Sequence, residues 1–264
     1  MQLRPCALLA LAEPVPARKV ALTQALVTAA RAGHCQLDPQ AVLIACAGLP
    51  GRPALPRLVP AVQVPQRSPF TLAGRAALIH AICHIEFNAI NLALDAVWRF
   101  AEMPEKYYFD WLQVAGEEAL HFSLLHTHLA SLGHAYGDFD AHDGLWQMTE
   151  ATAGDIVARM ALVPRTLEAR GLDATPPIQA KLRKAGDERA VAILDIILRD
   201  EIGHVAIGNH WYRWLCARDG LEPVGTYDRL AQAYGAPRPR GPFNVEARRA
   251  AGFTQAELNA LPSG

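Results

Sequence analysis

At 264 residues the chain is long enough to bury a sizeable core, as one large domain or two small ones. Basic and acidic residues nearly cancel to a formal charge of -1, so no overall field recruits nucleic acid or an acidic membrane. Five cysteines, at 6, 35, 46, 83 and 216, form neither a Cys-x-x-Cys pair nor an even disulfide set, which reads as reduced thiols in a cytoplasmic protein.

Met1 to Pro14 carries an apolar run behind one arginine; the run is at the short limit for a signal peptide, and a first amphipathic helix is the simpler reading. No stretch reaches the apolar length that a bilayer-spanning helix needs, so no membrane partner is expected. Residues 15 to 33 form the next expected helix, with Pro14 and Pro16 near its start and Gly33 at its end. Prolines at 50, 53, 56, 60, 65 and 69 then exclude a helix or central strand over 48 to 70. This segment is expected to be an extended strap with Leu55, Leu58, Val59, Val62 and Val64 as apolar anchors.

Thr71 is placed to cap a long helix through Glu86 to about Phe100. Pro104 opens a second, through Glu118 and His121 to about Leu132, where Gly133 stops it. The turn-rich stretch from Gly133 to Gly144 can cross the length of a bundle in extended form. A third helix is expected from about Leu145 to Arg170, ending at Gly171. A break near Gly186-Asp187 is needed to bring the fourth level with it, leaving 178 to 185 as a separate short helix. Short helical pieces follow Gly220, together with the basic stretch around Arg238, Arg240, Arg248 and Arg249, read as a strap or, alternatively, as an anion or RNA contact.

The chemistry sits in two tetrapeptides, Glu118-Ala-Leu-His121 and Glu201-Ile-Gly-His204. Residues three apart on a helix are turned by about 60° and rise by roughly 4.5 Å, so each Glu and His face one way. A single Glu-x-x-His means little. Here, however, Glu86 precedes Glu118 by 32 residues and Glu168 precedes Glu201 by 33, the spacing of two helical hairpins. Four carboxylates facing a core would repel and desolvate at high cost, and two divalent cations would cancel them. Oxygen-rich ligation with one imidazole per metal suits iron, with manganese as the alternative, better than zinc. Asp155 is the alternative to Glu168. Asp200, Glu117 and His84 are candidates to orient the ligands. His80 and His84, four apart, form a weaker candidate metal pair; His126, His128, His134, His142 and His210 read as surface or loop residues, and the five tryptophans as packing.

At Glu86, Glu118-x-x-His121, Glu168 and Glu201-x-x-His204 the chain resembles the ferritin-like di-iron superfamily, whose bundles take one Glu from each of two helices and Glu-x-x-His from the other two. Over His80 to Phe100, Asp110 to Leu125, Tyr136 to Trp146, Leu162 to Asp173 and Ile197 to Cys216 it is similar to a bacterial family of ferritin-like proteins known mainly as a domain of unknown function. A more distant analogue is the di-iron hydroxylase of a prenylated adenosine in tRNA. Asn91 departs from the pattern, standing where similar sequences often carry an acid.

The resemblance implies an all-α fold: a ferritin-like four-helix bundle over 71 to 219, an N-terminal helix and proline-rich strap over 1 to 70, and a C-terminal helical extension over 220 to 264. It implies two iron ions and is silent about substrate; the ligand set itself leads to the expectation of an oxygen-dependent oxidase or monooxygenase, with a small molecule or modified nucleoside as the substrate classes considered and an external reductase as the electron source of a hydroxylase. Iron storage and a non-catalytic bundle with a vestigial site are the rival readings.

Overall fold

The computed structural model describes residues 1–45 and 47–262; Cys46 lies outside them, and the other four cysteines are free. The protein is all-α. Among the described residues, eleven α-helices, a 3-10 turn and a π-helical segment account for the regular structure, with isolated bridges but no sheet. The chain divides into two compact units, Met1–Trp146 and Gln147–Gly264.

In the first unit, α1 (Leu3–Ala12) and α2 (Pro16–Arg31) pack against the hairpin of α3 (Leu72–Arg99) and α4 (Glu105–Ser131). Pro16 starts α2 where a missing N–H costs nothing. Thr71 caps α3 as expected, its hydroxyl accepting from Gly74 N at 3.1 Å. The reversal comes at Glu102, whose positive φ of 62° makes the corner. Tyr108 Oη fixes it by accepting from Met103 N at 3.2 Å and donating to Phe100 O at 2.9 Å. Gly133, at φ +79°, ends α4 in the left-handed conformation that glycine adopts most readily.

Contrary to expectation, α3 is long and apolar enough to cross a membrane, by length and composition only. Its most apolar window is 78 % buried inside the protein, as the central helix of a helical core would be. The α2–α4 contact is close. Val27 Cγ2 lies 2.8 Å from where a Cβ on Gly116 would stand, and Gln24 Nε2 donates to Gly116 O at 2.7 Å.

The proline-rich segment is extended, but not through its expected anchors: Leu55, Leu58 and Val62 are exposed, and Val59 and Val64 only partly covered. Polar and backbone ties hold it instead. Gly51 N donates to Leu11 O at 2.9 Å, an approach in which any Cβ would collide with Ala12 O. Arg52 pairs with Asp143 and Arg57 with Asp140, each through two hydrogen bonds.

The boundary between the units falls within α5 (Gly144–Ala151). The second unit continues with α6 (Ile156–Leu162), a π-helical segment (Val163–Glu168), α7 (Ala169–Lys184) and α8 (Glu188–Arg218). The third expected helix is therefore interrupted before residue 156 and does not stop at Gly171. Gly171 and the Pro176–Pro177 pair lie inside α7, so no separate helix begins at 178. The expected break at Gly186-Asp187 is present: Gly186 takes φ +77°, and Asp187 caps α8 by accepting from Ala190 N at 3.0 Å. After Gly220 come α9 (Pro223–Ala233), α10 (Val245–Ala250) and α11 (Gln255–Asn259). Ala247 and Ala251 close a small core over Ala169, Leu172 and Val205.

Candidate metal centre

In the first unit three expected ligands converge. Glu86 from α3 and Glu118 and His121 from α4 are 3 %, 0 % and 0 % exposed. His121 Nδ1 lies 3.2 Å from Glu86 Oε2 and 3.2 Å from Glu118 Oε2. The two carboxylates come from opposite arms of one hairpin, and their common partner stands one turn below Glu118.

Electrostatics explains what this arrangement needs. Burial and the neighbouring Glu118 carboxylate push Glu86 up to about 8, against the help that His121 gives to its charged form. Burial opposes a charged His121, but its hydrogen bonds to Glu118 and Glu86 outweigh that and lift it to about 11. A positive charge is thus favoured where one nitrogen and two carboxylate oxygens meet. A divalent cation supplies that charge at the same place and takes all three atoms as ligands, so the donor set fits a metal. Among the described residues Glu86, Glu118 and His121 form one such buried cluster.

In the second unit the corresponding residues are also buried. Glu168 ends the π-helical segment, and Glu201 and His204 follow one another by a turn on α8. His204 Nδ1 lies 3.9 Å from Glu201 Oε2. A Cβ on Gly171 would stand 3.9 Å from Glu201 Oε1, which puts Glu201 level with the turn that follows Glu168. The π-helical segment was not foreseen. Such segments are rare and recur at functional sites, because their extra residue re-aims the side chains that follow.

The remaining candidates have other surroundings. Asp155 caps α6, its carboxylate accepting from Ala158 N at 2.9 Å. Asp200 is bonded to Arg199 at 2.8 Å and Glu117 accepts from Gln113 at 3.0 Å, both on partly exposed positions. His84 Nε2 faces Asn88 Nδ2 at 3.0 Å and its Nδ1 faces Tyr136 Oη at 2.8 Å. The amide nitrogen can only donate, so His84 Nε2 accepts and Nδ1 carries the proton and donates to the tyrosine. Burial lowers His84 to about 3 and keeps it neutral. His80 Nε2 accepts from Gly137 N at 3.0 Å, so one ring nitrogen of each member of the His80–His84 pair is engaged by the loop between α4 and α5. Asn91 is buried and accepts from Lys19.

Of the histidines expected at the surface, His128 is instead buried, its Nδ1 3.2 Å from Ser131 Oγ. Four of the five tryptophans are buried and Trp214 is partly so. Of the basic C-terminal stretch, Arg248 is buried on Asp173 at 2.5 Å, while Arg238, Arg240 and Arg249 are exposed. Two groups were missed from sequence. Tyr136 and Asn88 hold His84, and Arg165 organises the segment that carries Glu168; the partners of Tyr136 and Arg165 lie 44 to 92 residues away, and Asn88, one turn from His84, had only its helical spacing to mark it.

A protein of Haemophilus influenzae (strain ATCC 51907 / DSM 11121 / KW20 / Rd), described as uncharacterized, is 56 % identical to this chain over 214 residues, 78 % of this chain and 74 % of that protein. No solved structure matches. The model of a family described as a protein of unknown function, DUF455, matches residues 12–259, and the chain belongs to that family.

Proposed function

We propose that the two buried sets, Glu86, Glu118 and His121 with Glu168, Glu201 and His204, are the metal ligands of a carboxylate-bridged di-iron protein of the ferritin-like four-helix-bundle kind. The observation that carries this reading is the meeting of Glu86, Glu118 and His121 around one point in a buried place. Its counterpart is supported by the repeat of the same motif at a hairpin spacing one residue longer, with all three residues buried.

The proposed activity is an oxygen-dependent oxidation or hydroxylation of a small molecule or modified nucleoside, with electrons from a separate reductase. Bound iron would supply the redox chemistry. The protein's own part is to bind and orient: Glu118 and Glu201, with Glu86 and Glu168, would hold the ions through carboxylate oxygens, and His121 and His204 would each give a nitrogen ligand. Phe87, Phe122 and Leu125, which neighbour these ligands in sequence, are buried as well, as a site that excludes water requires.

Metal analysis of protein purified from iron-supplemented cells tests this. Two iron ions per chain are expected, and Glu118→Ala should lose at least half of them while keeping its helical circular dichroism. Full iron content in that variant would sink the assignment, and an empty or zinc-filled wild type would favour a vestigial site. Size-exclusion chromatography separates the storage reading, which needs a large cage, from an enzyme of one or two chains.

A further inference from the structure

We propose that Arg165, gripped by Glu257 and Asn209, is a positioning residue that fixes the π-helical turn presenting Glu168. This rests on the reading of Glu168 as a metal ligand.

Arg165 stands three residues before Glu168 in the segment Val163–Glu168. Its side chain is 4 % exposed, which is unusual for an arginine and requires partners for its charge. Nη2 donates to Glu257 Oε1 of α11 at 2.5 Å, and Nη1 donates to Asn209 Oδ1 of α8 at 2.6 Å. The guanidinium also lies 5.0, 5.3 and 5.0 Å from the ring centres of Tyr212, Tyr227 and Phe253, from α8, α9 and the turn before α11. One side chain of the π-turn is therefore held from three directions by parts of the chain 44 to 92 residues away.

The holders are held in turn. Asn209 Nδ2 donates to Ala251 O at 2.8 Å, and Arg213 Nη2 donates to Glu257 Oε2 at 2.9 Å, so each carboxylate oxygen of Glu257 has its own arginine. Burial would raise the Glu257 carboxyl, but Arg165 and the Thr254 backbone N–H hold it below the usual range and keep it charged. Thr254 and Glu257 also form a reciprocal cap of α11, which fixes the carboxylate before it meets Arg165.

A π-turn needs such support. Its hydrogen bonds span five residues and are poorly aligned, so an unsupported segment relaxes to α-helix and turns every later side chain by about one residue. Relaxation here would rotate Glu168 off its direction without touching Glu201 or His204, which α8 sets. The C-terminal helices thereby acquire a role in ligand geometry.

Apo wild type, Arg165→Met and Glu257→Gln are to be titrated anaerobically with Co(II), while hydrogen exchange is followed across 163–171. The expected result is one Co(II) bound as in wild type and the other about 10- to 100-fold more weakly, the usual effect of losing a residue that orients a ligand. Exchange over 166–171 should quicken, with helical circular dichroism unchanged. Where Arg165→Met fails to fold, Glu257→Gln decides, since it removes a charge and no volume. Wild-type affinity for both ions in the folded variants would overturn the proposal alone. A wild type that binds no Co(II) would overturn the metal reading and this inference with it.

Discussion

His80 shows how one buried residue ties pH to stability. Burial lowers it from 6.5 to about 4, with only the Asp138 charge working in the other direction. Its Nε2 must stay unprotonated to accept from Gly137 N, and its ring stacks on Tyr136 at 5.4 Å. Between those two values the unfolded chain takes up a proton that the folded one refuses, so stability falls as pH drops from about 6.5 towards 4. Urea midpoints at pH 7 and pH 5 should therefore differ more for wild type than for His80→Gln, which can still accept from Gly137 but does not titrate. Equal pH dependence in both proteins would contradict this. A second residue worth changing is Gly208, whose Cβ would stand 2.5 Å from Pro164 Cβ. Gly208→Ala should cost about 1–3 kcal/mol in a denaturant titration, since neither α8 nor the π-helical segment has slack there.

At the scale of elements, the two hairpins were legible because each has a ligand pattern and a local breaker. Thr71, Pro104, Gly133 and Gly186 act through their own φ, missing donor or hydroxyl, which sequence displays directly. Gly171, Pro176 and Pro177 have the same composition and do not break α7. There the packing of α7 along α8 outweighs a glycine cost of about 1 kcal/mol and a proline cost of about 3 kcal/mol. The π-helical segment was invisible for a related reason: its extra residue changes register, not composition, and is kept by contacts distant in sequence. With α7 running on to Lys184, the two arms around Gly186 come level. Glu168 then lies 18 residues before Gly186 and Glu201 lies 15 after it, arms of nearly equal length. The strap was misread in its side chains because proline reveals extension and says nothing of which face is wet.

For the whole molecule, each compact unit carries one of the two buried Glu/Glu/His sets of the proposed function, so metal should protect each of them. Bound metal stabilises by mass action, about 2.7 kcal/mol at a free concentration of 100 times Kd. Removing it with a chelator is expected to lower the unfolding midpoint of the two units together, read by hydrogen exchange at α3 and α8. Loosening confined to one unit would count against metal binding in the other. Another consequence comes from the N-terminal arm. Arg4 donates to the carbonyls of Asp38, Pro39, Ala41 and Trp98, and Lys19 to those of Leu11 and Gly51 and to Asn91, while Val42 and Ile44 stand 87 % and 89 % exposed between them. The covalent link there is redundant. A protein nicked beside Ile44 should elute as one particle, and separately made peptides 1–44 and 45–264 should reassemble when mixed, two molecules completing one fold.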